Sequence, residues 1–370
     1  MDFQLSDDQR ALRSGMRDLL GAVFDRDRLR AAVERDGALD RSLWRELGAA
    51  GFFALRLPEE AGGVGLGLPE AVLLFEEAGR ALLPGPLVAT HLAAGLVKGA
   101  AEGEAVVTAV AADQPVAHLA EADAVLMVGL PGEAWGAGVL PGEGAGAEVL
   151  SGEALRAFVA AARPVRSMDP LTPLHRASAD AKPAPAASER TRADAERVPA
   201  ATERAPAHAG RLRFEAALLT AAEQLGSAAR TTEAAVQHAG DREQFGSPIG
   251  SFQAVKHLCA DMLARTEPAR AAVYAAAVTG DPAEIAAAKL LADEAAVRNA
   301  RDCLQIHGGM GFTWEADVHL HLKRAWLRAA SWLTGAGAEE LLAAGLGTAG
   351  RLPRSSAAYG RPVPEAGGGG

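Results

Sequence analysis

A helix, a tight corner and a second helix in quick succession constrain this 370-residue chain more than any other stretch. Before the corner, apolar residues recur at helical spacing, at Leu218, Ala222, Leu225, Ala229 and Val236. That helix is predicted to end at Arg242. Gly246, Pro248 and Gly250 then interrupt the pattern, and a second helix is predicted to begin near Ser251, a residue type that favours the N-cap. The corner therefore fixes the relative position of two long helices.

A second glycine-rich helix end follows about fifty residues later, in the segment Gln305–Gly311. Its two consecutive glycines, Gly308 and Gly309, would let backbone amides approach a phosphate or a ring. Arg242 alone has a structural explanation, because a guanidinium at a helix C-terminus satisfies end carbonyls and complements the helix dipole. The two stretches together indicate a binding site.

In combination, these motifs resemble the acyl-CoA dehydrogenase family, flavoenzymes that place a double bond between Cα and Cβ of an acyl thioester. The resemblance covers most of the chain. It is carried by four segments: Arg242–Gly246, Pro248–Gln253, Ala260–Met262 and Gln305–Thr313. It implies a mainly α fold with an N-terminal helical domain, a small and reduced middle β domain, and a C-terminal four-helix bundle.

The domain organisation follows from changes in residue composition and hydrophobic pattern along the chain. Ser6 to Gln9 form a capping-box pattern that opens a helix, and Trp44, Leu47 and Phe52 continue an apolar face. The predicted divisions are an N-terminal helical domain at 1–104, a β domain at 105–176, an insertion at 177–210, the bundle at 211–346 and a tail at 347–370.

Short β-like runs separated by turn residues mark the middle domain. They are Ala105–Val110, Ala124–Val128, Gly138–Leu140 and Glu148–Leu150. Residues 177–210 are mostly Ala, Pro and charge, so they cannot bury enough apolar area to offset their chain entropy, and both this insertion and the tail are predicted to be disordered.

Composition excludes several functional classes. The formal net charge is −10 and Lys and Arg do not cluster, which argues against a nucleic-acid surface. No run of eighteen apolar residues suggests a membrane span, and Met1–Gln4 lacks a basic-then-apolar signal, so the chain is expected to be cytoplasmic. Histidine and cysteine spacing predicts no metal site.

The middle domain departs most from the family pattern. Relatives carry a Thr-Glu-Pro-type turn ending in Gly-Ser and a strand with Trp and Thr, which together hold the flavin ring. Here the nearest loop is Ala112–Val116, and the only tryptophan of the domain is Trp135. The resemblance therefore implies a degenerate ring-binding face.

The family's catalytic base, a glutamate that removes the α-proton, is also missing from its usual places. The commoner position lies in a loop where this chain has Leu333–Gly337, which contains no carboxylate. The alternative lies about 26 residues before Arg242. An ungapped count reaches Ala216, with Glu215 one residue away and therefore about 100° around the helix. Glu215 is a candidate base only if the alignment slips, and Glu339 and Glu340 are better explained as a solvated helix start.

The resemblance implies that the chain retains the half of the site that holds the pyrophosphate and adenine of FAD. Arg242 would bind the pyrophosphate, because its fork supplies charge-assisted donors. Phe245 would pack on the cofactor, and close backbone approach would be possible at Gly308 and Gly309. The residues expected to contact FAD are Arg242, Phe245, Gln253, Gln305, Gly308 and Gly309.

These features predict a subunit that completes a partner's FAD site without supplying the base. Such a chain resembles the degenerate half of the heteromeric α2β2 acyl-CoA dehydrogenases of actinobacteria. The implied partners are a homologous subunit, an acyl-CoA or acyl-carrier-protein substrate, and an electron-transfer flavoprotein. Two alternatives remain: an independent homo-oligomeric dehydrogenase with a shifted base such as Glu215, and a cofactor-free assembly partner.

Overall fold

The computed structural model describes residues 4–111, 114–128, 148–177 and 209–349. In chain order they form a helical N-terminal layer, two small β-sheets with one helix, and a long C-terminal helical bundle. This confirms the predicted mainly α fold with a small β region. Across these ranges, no helix has the length and apolarity needed to cross a membrane. In the same residues, no group of three or more His, Cys, Asp or Glu side chains could hold a metal ion.

The N-terminal layer contains five helices. They are α1 Asp7–Val23, α2 Arg26–Glu34, α3 Arg41–Ala49, α4 Leu68–Arg80 and α5 Leu87–Ala93. The predicted capping box opens α1, because Ser6 Oγ accepts the Gln9 N–H at 3.1 Å and Gln9 Oε1 accepts the Ser6 N–H. Trp44, Leu47 and Phe52 are fully buried, as the apolar pattern predicted.

The described part of the β region contains two three-stranded sheets. The first has the order β1 Val107–Ala111, β3 Ala124–Val128 and β4 Glu148–Ser151. Its β1 and β3 strands are parallel, with Val107 opposite Ala124. The second sheet has the order β2 Val116–Ala117, β6 Leu174–Arg176 and β5 Arg163–Val165, all antiparallel. Helix α6, Gly152–Ala161, leads from the first sheet towards the second.

Three of the four predicted strands have an observed counterpart. The strand Ala124–Val128 has the predicted bounds, and the first and last predicted runs differ from β1 and β4 by one or two residues at an end. The predicted run Gly138–Leu140 lies outside the described residues, as do Trp135, Ala112 and Asp113. Helix α6 and strands β5 and β6 were not predicted.

The bundle begins with α7 Ala209–Asp241, two residues before the predicted start at 211. It continues with α8 Gln253–Thr279, α9 Pro282–His307, α10 Val318–Ala329 and α11 Gly335–Ala349. Most of the predicted insertion, 178–208, and of the predicted tail, 350–370, lies outside the described residues. The domain boundaries and the disorder of these segments therefore stay predictions.

Two glycines hold the N-terminal layer directly against the bundle. A Cβ at Gly79 of α4 would lie 2.0 Å from the carbonyl oxygen of Glu223, and a Cβ at Gly226 of α7 would lie 1.8 Å from that of Glu76. Only glycine allows both backbones to approach this closely. The contact fixes the junction of the N-terminal layer and the bundle.

The predicted N-cap at Ser251 is wrong. Ile249–Ser251 form a 3₁₀ turn, and Phe252, with φ −79° and ψ 135°, takes the N-cap position of α8. The Ser251 hydroxyl hydrogen-bonds to the Ser247 hydroxyl at 3.1 Å instead of capping the helix. The corner itself supplies a competing partner for the serine side chain, which the local pattern did not show.

Candidate functional site

The first predicted motif forms a strained hairpin at one end of the bundle. Helix α7 ends at Asp241, and the N–H of Arg242 donates to the carbonyl of His238 at 2.9 Å. Strands β7 Glu243–Gln244 and β8 Ser247–Pro248 are joined by Phe245 and Gly246, with φ of 55° and 80°. Two successive positive φ angles suit a tight hairpin turn. For Phe245 this conformation costs backbone energy.

The side chain of Phe245 is 94% exposed, although a large aromatic group is usually buried. Its ring packs edge-to-face with Phe252, with 6.1 Å between the centroids. A strained backbone that presents an apolar ring outward marks a functional surface better than a folding contact. The hairpin therefore leaves the ring of Phe245 exposed at this end of the bundle.

The second motif meets the first through a pair of stacked histidines. The rings of His238 and His307 lie 4.1 Å apart between centroids, at an interplanar angle of 16°. Nδ1–H of His307 donates to the carbonyl oxygen of Cys303 at 2.8 Å, which fixes the ring at the end of α9. The end of α9 at Gly308 is thus placed beside the hairpin. The two predicted motifs come together, although over sixty residues separate Arg242 from Gly308.

The six residues predicted to contact FAD all lie at this end of the bundle, and every one of them is exposed: Arg242, Phe245, Gln253, Gln305, Gly308 and Gly309. In the part of the chain that the structure describes, the Arg242 side chain has no ion-pair partner. A Cβ at Gly308 or Gly309 would meet no atom within 4 Å, so open space faces that backbone. A free cation, open backbone and an exposed ring suit a ligand with phosphates and a planar ring system.

Further exposed apolar side chains follow the end of α9. Met310, Phe312 and Trp314 are 58%, 74% and 60% exposed. Large exposed apolar patches mark surfaces that bind something. With Phe245 and Phe252, these residues make five exposed large apolar side chains in the segments that follow α7 and α9.

Glu215, the candidate base, is held in a double ion pair. Arg56 donates to its Oε2 at 2.8 Å and Arg211 donates to its Oε1 at 2.7 Å. Burial acts to raise the pKa of Glu215, but the hydrogen bonds and charges of the two arginines outweigh burial and hold the pKa below its ordinary value. A general base needs a free oxygen and a raised proton affinity, and this carboxylate has neither.

The other base position also lacks a usable carboxylate. Thr334, within the Leu333–Gly337 segment, accepts the Gly337 N–H at 3.3 Å as helix α11 begins. Glu339 and Glu340 lie on that helix and are exposed, as predicted for a solvated helix start.

A buried charged cluster at the junction of the three regions escaped the sequence analysis. Arg328 of α10 donates to Glu223 of α7 at 2.7 Å, and Arg324 pairs with Asp169. All four side chains are almost fully buried. Leu320, Arg324 and Arg328 recur at four-residue spacing, so the buried Leu320 places both arginines on the inward face of α10. That spacing is a signal that could have identified them.

Comparison with known proteins agrees with this geometry. The model of the acyl-CoA dehydrogenase N-terminal domain matches residues 6–103, and that of the C-terminal domain matches residues 210–349. The acyl-CoA dehydrogenase IpdE2 of Mycobacterium tuberculosis is 36% identical over 301 residues, covering 80% of this chain and 84% of the relative. IpdE2 of Mycolicibacterium smegmatis is 35% identical over 325 residues, covering 87% and 93%.

The fold also matches solved structures. A chain of the ChsE4–ChsE5 complex from Mycobacterium tuberculosis superposes with a TM-score of 0.71 at 22% identity, covering 95% of this chain and 100% of that one. The two matched domains flank the β region, and the bundle end described above lies within the matched C-terminal domain. The chain therefore belongs to the acyl-CoA dehydrogenase family of flavoenzymes.

Proposed function

We propose that this chain is an acyl-CoA dehydrogenase subunit that completes the FAD site of a homologous partner and leaves the catalytic base to that partner. The reaction is the α,β-dehydrogenation of an acyl thioester carried by CoA or by a carrier protein. The observation that carries the proposal is the exposed surface at the bundle end, where Arg242 has no ion-pair partner in the described residues. It is present in a chain whose two candidate base positions lack a free carboxylate.

The bundle end suits the pyrophosphate and adenine half of FAD. The guanidinium of Arg242 would bind phosphate oxygens, and the open backbone at Gly308 and Gly309 would allow them close approach. Phe245 would pack on the cofactor, with Gln253 and Gln305 as hydrogen-bonding groups at the rim. When bound, FAD accepts the hydride from Cβ of the acyl thioester, while a base takes the α-proton.

The lack of a free carboxylate at the two positions expected for the base favours a division of labour between two chains. Glu215 is neutralised by Arg56 and Arg211, and the loop at 333–337 contains no carboxylate. The solved ChsE4–ChsE5 structure is a complex of two different chains, which supports a homologous partner for this one as well. We infer an α2β2 assembly acting on a bulky or long acyl group, with an electron-transfer flavoprotein as acceptor.

The test is the flavin content of the complex between this chain and a homologous partner. Arg242→Ala is expected to weaken FAD retention by roughly tenfold or more, because it removes charge-assisted hydrogen bonds worth about 1.5–3 kcal/mol. Arg298→Ala is the matched control, since Arg298 is an exposed arginine of α9 paired only with Glu294. Retention of FAD by both variants at the wild-type level would favour a cofactor-free assembly partner instead.

A further inference from the structure

Two different helix ends supply the two halves of the proposed FAD site. Arg242 follows α7, whereas Gly308 and Gly309 follow α9. In the part of the chain that the structure describes, no hydrogen bond joins residues 238–252 to residues 305–313. The distance between the Arg242 guanidinium and the glycine backbone therefore depends on side-chain packing between the two helix ends.

Each histidine of the stacked pair is attached to one of these helix ends. The carbonyl of His238 accepts the Arg242 N–H at 2.9 Å, so His238 lies one helical turn before Arg242. Nδ1–H of His307 donates to the Cys303 carbonyl at 2.8 Å, and the next residue in the chain is Gly308. Each imidazole is therefore held close to one half of the site.

The stack restricts the geometry between the helix ends more than the apolar packing does. Ala235 and Ala239 of α7 share an apolar cluster with Ile306 of α9. Contacts between such aliphatic groups have no preferred direction. Two rings with centroids 4.1 Å apart and planes inclined by 16° are restricted in both distance and tilt. The stack therefore sets how the end of α9 lies beside the end of α7.

The ring of His238 is used for stacking and not for hydrogen bonding. The side chain is half-buried, and neither ring nitrogen has a hydrogen-bond partner among the described residues. Its directional contact there is the ring of His307. A planar ring without nitrogens should therefore replace the His238 imidazole, whereas an aliphatic side chain should not.

We propose that His238 and His307 are positioning residues, whose stacked rings hold Gly308 and Gly309 at the distance from Arg242 that the FAD pyrophosphate requires. The inference rests on the proposed function, because it concerns the same site. A preformed arrangement lowers the ordering cost of binding. Loss of the stack should therefore weaken FAD retention, although it removes none of the six residues expected to contact FAD.

Hydrogen exchange of the purified full-length chain, without added FAD, tests the positioning itself. His238→Ala is expected to increase exchange about two- to tenfold in peptides covering residues 305–312, the factor that one aromatic contact supplies. His238→Phe keeps a planar ring and should exchange like the wild type. His238→Leu has a similar size but no ring, and it should behave like His238→Ala. His257→Ala removes an exposed histidine of α8 and is the matched control.

FAD retention by the complex with a homologous partner tests the consequence for the site. His238→Ala is expected to weaken retention by about two- to tenfold, and His238→Phe should restore it. The double variant His238→Ala/His307→Ala should retain FAD as well as His307→Ala alone, because the same contact can be lost only once. Independent roles for the two rings would instead multiply the two effects.

The outcomes separate this inference from the proposed function. Equal exchange in His238→Ala and the wild type would overturn the inference, as would failure of His238→Phe to restore the wild-type behaviour. Unchanged FAD retention in His238→Ala would overturn it and leave the proposed function intact. A wild-type complex without FAD would contradict the proposed function, and the exchange data would still decide whether the pair holds the glycine end. If His238→Ala fails to fold, His238→Leu against His238→Phe decides.

Discussion

The charged groups differ between two regions: they are exposed at the bundle end, and they are buried in ion pairs at the junction of the three regions. Arg242 at the bundle end is exposed and has no ion-pair partner in the described residues, whereas Arg324 and Arg328 at the junction each pair with a buried carboxylate. Glu215, which precedes Glu223 on α7, is likewise held in ion pairs, with Arg56 and Arg211. Within the described residues, the bundle end therefore offers an exposed cation without an ion-pair partner, whereas these interior carboxylates are held in ion pairs.

Among the substitutions that test this difference, the largest effect on the free energy of unfolding is expected at the junction. Arg324→Ala should lower the free energy of unfolding by about 3–5 kcal/mol, because it leaves Asp169 charged and fully buried without its cationic partner, with only the Leu171 N–H and the Thr172 hydroxyl as donors in the described residues. Arg242→Ala should change it by less than about 0.5 kcal/mol, since Arg242 is exposed. Urea denaturation of the two variants measures both values, and equal losses would remove the distinction between the two regions.

A pH-dependent effect of intermediate size is expected at His321 of α10. Burial, followed by the charge of Arg230, lowers the pKa of His321 from 6.5 to about 3. Below pH 6.5, His321 is protonated in the unfolded chain but stays neutral in the folded chain. The contribution to the free energy of unfolding that is present above pH 6.5 is therefore lost as the pH falls from 6.5 towards 3. The loss approaches about 1.4 kcal/mol per pH unit within that window.

His321→Gln is expected to flatten this pH dependence, since glutamine can still hydrogen-bond to the Ser227 hydroxyl, which lies 2.8 Å from Nδ1 in the wild type. Denaturation curves at several pH values between 4.5 and 7 compare the two proteins. Identical slopes would show that His321 takes up its proton without unfolding.

Phe245→Gly is expected to separate stability from cofactor binding. Glycine relieves the cost of a positive φ, about 1–2 kcal/mol, but loses about 0.5–1 kcal/mol to the unfolded chain, so the free energy of unfolding should rise by up to about 1.5 kcal/mol. FAD retention by the complex should fall, because an exposed ring is removed. A marked loss of stability would instead assign Phe245 to folding.

The smallest expected effect is that of Glu215→Gln on catalysis. If Glu215 only forms ion pairs, kcat of the complex should change by less than about twofold, whereas loss of a general base would lower it by about 10²–10⁴-fold. Glu340→Gln, on an exposed face of α11, is the matched control. Steady-state kinetics with an acyl-CoA would decide between the two roles.

Local sequence signals predicted much of the fold. Ser6 caps its helix as predicted, and α7 and α9 end at the predicted corner and glycine pair. Such features depend on residues three or four apart, so a linear pattern contains them. Ser251 failed as a cap because the corner offered its hydroxyl another partner.

The bundle-end residues could be identified from the sequence because they form contiguous motifs. The ion pairs of the junction could not, because Arg328 and Glu223 are 105 positions apart and Arg324 and Asp169 are 155 apart. No local pattern states which buried arginine meets which carboxylate. The same reason explains why the two arginine partners of Glu215 emerged only from the structure, although Arg211 is one helical turn away.

The most direct test of the central claim is the flavin absorbance of this chain purified alone and co-expressed with a homologous full-length family member. A chain that supplies one wall of the site is expected to hold little flavin alone and about one FAD per heterodimer in the complex, with dehydrogenase activity only in the complex. About one flavin per chain when purified alone, bleached by an acyl-CoA, would contradict the account and establish an independent active site.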